Sequence, residues 1–366
     1  MAKLATITPI HEARLTGPMA WVGRELKGVD EFAFQILSRH ARALREILQR
    51  TRQLERSSIE RKDCSHPDLD ADLSAVLDQV QNGTGVVLLR GLPIDGLQVE
   101  EIERIFWILG THMGPALSQY SFGDTLVRVQ EEKPKAGDQS SRGSKASQEL
   151  AMHTDFCEVM GLMCVRAVPV GGESHLCSIL AVHNEIWQTR PDVLPILYRG
   201  FPYHRRGEQP ADQEPVTPYP VPVLANVDGY ISTMFLRGHA LAGLAELGRE
   251  PTAGELEALN VFRDVALRQQ VSFRMAPGEA LVINNYAVLH SRSEYRNAPE
   301  PAPQRLMLRL WLEAGRDRRP VVPELIVYRN KGGRNGVDAA PGRTMAGTDY
   351  QNVSEKSLQV LRAERS

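Results

Sequence analysis

The chain has 366 residues, 42% of them hydrophobic and 24% charged, the composition of a globular protein able to bury a sizeable core. Its 43 Lys and Arg against 45 Asp and Glu leave a net charge of −2, which excludes a long-range pull towards nucleic acid or an anionic membrane, so any acidic ligand must be met by local charges. The four cysteines (Cys64, Cys157, Cys164, Cys177) form no CxxC pair, and no apolar run approaches the roughly 20 residues of a membrane span, so a soluble, cytoplasmic protein with reduced thiols is expected.

The opening "MAKLATITPIHEARLTG" is broken by His11, Glu12 and Arg14, so it lacks the apolar centre of an export signal. From Val29 to Arg56 the recurrence of Phe32, Ile36, Leu44, Ile47, Leu48 and Leu54 predicts an amphipathic helix, and a second helix around Leu73–Val80 runs into the stop "NGTG". "GVVLLRG" reads as a buried strand, and "VEEIERIFWILG" as a helix ending at Gly110. Between Gln130 and Gln148 there is no large apolar residue; this stretch is either a disordered loop or a mobile lid.

Beyond it the chain breaks into short apolar segments: "MGLMCVRAV", "ESHLCSIL", "YPVPVLANV", "YISTMFL", "VSFRM", "EALVINN", "AVLH" and "RLMLRLWLEA". Short strands punctuated by Gly and Pro predict a sandwich or jelly roll, with helical insertions near "HNEIWQTRPDVLPILYRG" and "TAGELEALNVFRDVALRQQ". The Gly-rich stretch from Tyr328 reads as loop.

"ELAMHTDFCEV" places His153 and Asp155 two apart, so an extended backbone offers both to one side. Alone the pair is weak evidence and reads first as a polar loop edge. A third ligand is available in His290, at the end of the "AVLH" segment. In "QRLMLRLWLE" alternation sends Leu306, Leu308, Leu310 and Leu312 to one face and Arg305, Met307, Arg309 and Trp311 to the other. If that second face lines a cavity, the apolar pair forms walls and the arginines hold acidic groups. Two histidines and a carboxylate on one face of Fe(II) leave three positions open, two for a chelating keto acid and one for O2, with Arg305 placed to hold a far carboxylate. A solvated amphipathic edge strand is the alternative.

The order HTD, "VGGES" ending at Ser174, "NNYAVLHSR" and "QRLMLRL", with "GTGVVLLRGLP" upstream, resembles the Fe(II)/2-oxoglutarate-dependent taurine dioxygenase (TauD/TfdA) superfamily, which includes the clavaminate synthase-like oxygenases. The resemblance implies an α+β, mainly β fold: a double-stranded β-helix, or cupin-like jelly roll, with flanking helices. It implies one catalytic domain over residues 1–366, with a mostly helical elaboration at 1–82, the jelly-roll core at 83–313 carrying helical insertions and a lid near 130–148, and a C-terminal extension at 314–366. His153, Asp155 and His290 would be the iron ligands, Arg305 would grip the distal carboxylate of 2-oxoglutarate with Ser174 beside it, and Arg309 would hold the substrate's acidic group. The implied reaction uses O2, releases succinate and CO2, and oxidises a C–H bond of a small acidic substrate, an amino acid for example; desaturation and ring closure begin the same way.

Arg305 lies 15 residues beyond His290, a few more than in taurine dioxygenase itself, with the extra length in "RNAPEPAPQ". Amino-acid hydroxylases of the clavaminate branch commonly carry HxE, so transferring their substrates to this HxD chain is unsafe. Asp155 fills the place that family halogenases leave to halide. Two rival readings remain at this point, a Zn2+ hydrolase using the same three ligands and a barrel that binds without catalysing.

Overall fold

The computed structural model describes residues 8–132, 146–210, 212–314, 319–329, 336–338 and 354–364. Most of the predicted lid, residues 133–145, lies outside the described residues, as does most of the Gly-rich stretch beyond Tyr328.

The larger sheet joins β1 (Ala33–Gln35), β2 (Val86–Arg90), β12 (Ala280–Asn284), β6 (Val159–Arg166), β15 (Leu306–Leu312) and β3 (Ala116–Leu117) in that order, with β4 (Leu126–Val129) also paired to β15. The smaller sheet runs β11 (Val271–Phe273), β8 (Ser174–Ser178), β13 (Val288–Arg292), β5 (Leu150–His153), all antiparallel. Successive segments alternate between the sheets: β5, β6 and β8, then β12, β13 and β15. That alternation is the jelly-roll connectivity the sequence predicted. Two short ribbons complete the strands, β7 (Val170–Gly171) with β14 (Tyr295–Arg296) and β9 (Leu224–Val227) with β10 (Tyr230–Thr233).

Every residue of β15 is buried, because the two faces meet different layers. Leu306, Leu308, Leu310 and Leu312 join one apolar cluster with α1 (Ser38–Arg50), α2 (Asp70–Gln81) and α3 (Val99–Met113). Gly110 lets α3 come down onto this face, since a Cβ there would lie 2.7 Å from Leu310 Cδ1. Met307 and Trp311 belong instead to the cluster between the sheets, with Met160, Cys164, Leu176 and Leu289. A second helical layer, α4 (Ile179–Thr189) and α7 (Ala253–Gln269), backs the smaller sheet, with α5 (Leu194–Arg199) against α7.

The helix expected from Val29 to Arg56 is shorter than its periodicity suggested. Ala33–Gln35 pairs in parallel with β2, and the helix covers only Ser38–Arg50. Within "FAFQI" Phe32 and Ile36 are buried while Ala33 and Gln35 are exposed, the period-two pattern of an edge strand. The strand read through "ESHLCSIL" stops at Ser178, whose hydroxyl accepts the N–H groups of Leu180 and Ala181 and so caps α4 four residues earlier than expected. Helices α6 (Arg237–Glu246) and α8 (Glu355–Ala363) pack on each other and were not anticipated.

Candidate metal centre

β5 carries His153 at its last position, and the chain turns so that Asp155 follows on the same side. β13 lies beside β5 with His290 directly opposite His153, the two rings 4.2 Å apart between centroids. One ligand atom from each of His153, Asp155 and His290 lies within 4.8 Å of the others; no other group of three or more such side chains is found among the described residues. His290 Nε2 is 3.8 Å from Asp155 Oδ2.

Asn285 locks this geometry from the turn between β12 and β13. Its Oδ1 accepts the Asp155 N–H at 2.8 Å, and its Nδ2 donates to the carbonyls of Asp155 (2.6 Å) and Cys157 (2.8 Å). One side chain thus ties the HTD loop to the turn that leads into His290. On the other side Thr154 donates its N–H to Phe235 O and accepts the Phe235 N–H, both at 3.0 Å.

The Asp155 carboxylate is held by two residues of β15. Arg309 Nη1 lies 3.2 Å from Oδ1 and 3.3 Å from Oδ2, and Trp311 donates its indole N–H to Oδ2 at 2.9 Å. Gln119 holds Arg309 in turn, accepting from Nε at 2.8 Å and donating to its carbonyl at 3.0 Å. Burial works to raise the Asp155 carboxyl, but Arg309 first, then both histidines and Trp311, hold it below the usual carboxylate range. Burial lowers both imidazoles, His290 to about 3 with the neighbouring His153 adding to the effect.

Two neutral imidazoles and one ionised carboxylate suit a hard to borderline divalent ion such as Fe(II). His153 Nδ1 sits 2.8 Å from Ala151 O, which places the proton there and leaves Nε2 to a metal. His290 Nδ1 is buried with no hydrogen-bond partner among the described residues.

Arg305 opens on a separate cavity whose lining includes Cys164, Gly172, Ser174, Met275 and Met307. The guanidinium forms no ion pair among the described residues; it lies 4.9 Å from the centre of the Tyr295 ring, and burial lowers its affinity for its proton. A buried cation of this kind is a receptor for an anion. The two glycines before Ser174 each sit at φ +74°, where a side chain is strained: a Cβ on Gly171 would meet Glu294 O at 2.0 Å, and one on Gly172 would press on Val168 Cγ2 at 3.0 Å.

The structure therefore gathers His153, Asp155, His290 and Arg309 into one cluster and Arg305 with Ser174 into an adjoining cavity along β15. Cys157, which sequence reasoning assigned to packing, is fully buried. Asn285, Gln119 and the Trp311 N–H were missed as supporting groups. The double Asn of "NNYAVLH" was the available signal for the first, since an Asn at a strand-connecting turn commonly bonds nearby backbone. Gln119 lies 190 residues from Arg309 and had none.

The model of the taurine catabolism dioxygenase TauD, TfdA family matches residues 41–311. FR-33289 synthase of Streptomyces rubellomurinus is 27% identical over 316 residues, 83% of this chain and 92% of that protein. A taurine hydroxylase-like protein of Stachybotrys chartarum is 25% identical over 312 residues, covering 81% and 79%. Among solved structures, asparagine oxygenase with Fe(II), 2S,3S-3-hydroxyasparagine and succinate superposes with a TM-score of 0.61 at 18% identity, over 84% of this chain and all of that one. The non-heme iron oxygenase OrfP with Fe, succinate and (3S)-hydroxy-L-Arg gives 0.59 at 12%, over 77% and 94%; both share the fold. The chain belongs to the TauD/TfdA family, and it is an Fe(II)- and 2-oxoglutarate-dependent dioxygenase.

Proposed function

We propose that His153, Asp155 and His290 hold the iron, that Arg305 with Ser174 receives the distal carboxylate of 2-oxoglutarate, and that Arg309 steers the acidic group of a small substrate, an amino acid or a close relative, for C–H hydroxylation. When bound, iron, 2-oxoglutarate and O2 would supply the chemistry, with O2 as the oxidant, one of its atoms going to the substrate and the other to 2-oxoglutarate, which would leave as succinate and CO2; the chain's task is to hold one substrate C–H bond beside the metal and keep water away. The observation that carries this reading is the division of β15. Two arginines four residues apart share one buried face, roughly 13 Å apart along the strand, one beside Asp155 and the other in an anion-receptive cavity.

Arg309 is bonded to Asp155, and that is compatible with a substrate role. Asp155 shares its charge with the ion when one is bound, which leaves the guanidinium with charge to offer an anion. Phe156, which packs on Trp311 and Tyr328 beside Asp155, gives the apolar wall such a pocket needs. The amino-acid class is supported by asparagine oxygenase and by OrfP, whose complexes hold hydroxylated asparagine and arginine. The family relatives also include a uridine-5'-phosphate dioxygenase of Amycolatopsis, 30% identical over 42% of this chain, so the screen below includes phosphate monoesters. A cytoplasmic setting fits four buried, unpaired thiols.

The test is a panel of amino acids, sulfonates and phosphate monoesters, scored for substrate-stimulated succinate formation with mass spectrometry of the products. An acidic compound that gains one oxygen supports the reading. Stimulation confined to compounds without an acidic group would refute the role of Arg309.

A further inference from the structure

Arg305 is one of two buried guanidinium groups that share a ring. Tyr295, in β14, has the guanidinium carbon of Arg305 at 4.9 Å from its ring centre and that of Arg292 at 4.6 Å. Arg292 ends β13, two residues beyond His290. Like Arg305 it forms no ion pair among the described residues.

Its donors go instead to backbone. Arg292 Nη2 donates to Ala146 O (2.9 Å) and Gln148 O (2.7 Å), and Nη1 to Ser147 O (3.2 Å) and Ser293 O (3.1 Å). Tyr295 adds its own N–H to Ser147 O at 3.0 Å. The carbonyls of Ala146, Ser147 and Gln148 lie just ahead of β5, where the pairing with β13 slips: His290 faces His153, but Arg292 faces Leu150. The extra residue is a bulge, a device that re-aims the side chain after it, here His153.

We propose that Arg292 and Tyr295 are positioning residues for the co-substrate, linking occupancy of the Arg305 cavity to the backbone of Ala146–Gln148 that leads into the iron-binding strand. The inference rests on the assignment of Arg305 to the distal carboxylate. The ring holds both cations by its face, and an anion on Arg305 relieves their mutual repulsion, so Arg292 settles more firmly on its carbonyls. By reciprocity, loosening Arg292 weakens the grip on the anion.

The test compares 2-oxoglutarate with 2-oxobutyrate, which has the same chelating end and no distal carboxylate, by calorimetry on the anaerobic Fe(II) protein. Tyr295→Leu and Arg292→Met are expected to weaken 2-oxoglutarate about tenfold and to leave 2-oxobutyrate within about twofold. Tyr295→Phe, which keeps the ring, retains wild-type affinity. Amide exchange across Ala146–Leu150 slows when 2-oxoglutarate binds the wild type and does not slow in Arg292→Met. Equal losses for both oxo acids, no loss for 2-oxoglutarate, or wild-type exchange indifferent to 2-oxoglutarate would each overturn the proposal. Arg305→Gln is the separate control: if it still binds both acids as the wild type does, the assignment of Arg305 fails and takes the linkage with it.

Discussion

Trp311 donates its indole N–H to Asp155 Oδ2, the same oxygen that lies 3.8 Å from His290 Nε2. That bond fixes the carboxylate's rotation about the proposed metal position, the kind of outer support on which metal affinity depends. Trp311→Phe keeps the ring and removes the donor. Fe(II) affinity, measured by anaerobic equilibrium titration, is expected to fall about ten- to a hundredfold. Unchanged affinity would show that Arg309 alone orients Asp155.

Asp155 also neutralises Arg309, and both groups are buried. Asp155→Ala leaves the guanidinium without its carboxylate, at a cost of about 3–5 kcal/mol to the metal-free protein in urea denaturation. Asp155→Asn keeps an acceptor for Trp311 and is expected to cost less. Equal losses for the two variants would mean that the acceptor for Trp311 adds nothing beyond the charge pairing, and small losses in both would contradict the charge-pairing account.

Acid sensitivity follows from neutral buried histidines. Burial lowers His112 and His183 to about 4, helped by the neighbouring Arg61 and His11 respectively, while an unfolded histidine takes up its proton near 6.5. Because the folded values are depressed, the unfolded chain binds protons first. Stability is therefore complete above about pH 6.5 and lost as pH falls towards about 4, by ~1.4 kcal/mol per pH unit for each such group. Melting of the metal-free protein at pH values from about 7.5 to 5 checks this, and His183→Gln should flatten the slope by up to that amount. A melting temperature that rises on acidification would contradict the assignment.

The parts that could be read in advance were those in which chemistry and period coincide. The HTD pair, the His ending a strand and the two-faced "RLMLRLWL" segment needed only local pattern, and the leucine face meets α3 as alternation implies. What escaped was set by contacts across the chain. The edge strand at Ala33–Gln35 depends on β2 for its partners, and Gln119 reaches Arg309 because β3 and β4, on either side of it in the chain, both pair with β15. Arg292 closes the "NNYAVLHSR" segment and was given no role. The role proposed for it depends on carbonyls some 145 residues away.

The "GG" before Ser174 gives a backbone test. Gly171→Ala would put a methyl group 2.0 Å from Glu294 O at a φ of +74°, so the β7–β14 ribbon must shift. Since Tyr295 belongs to that ribbon, the expected result is weaker 2-oxoglutarate binding with Fe(II) affinity within about threefold of wild type. Loss of iron and 2-oxoglutarate together would instead indicate general unfolding.

If three distant side chains form one ferrous site and Arg305 anchors its co-substrate, binding of the two leaves an optical signature. Anaerobic addition of Fe(II) and then 2-oxoglutarate, followed in the visible range, tests it most directly. A weak charge-transfer band is expected in the wild type, absent from His290→Ala and requiring much more 2-oxoglutarate in Arg305→Gln. No band in the wild type, or the same titration in Arg305→Gln, would contradict it.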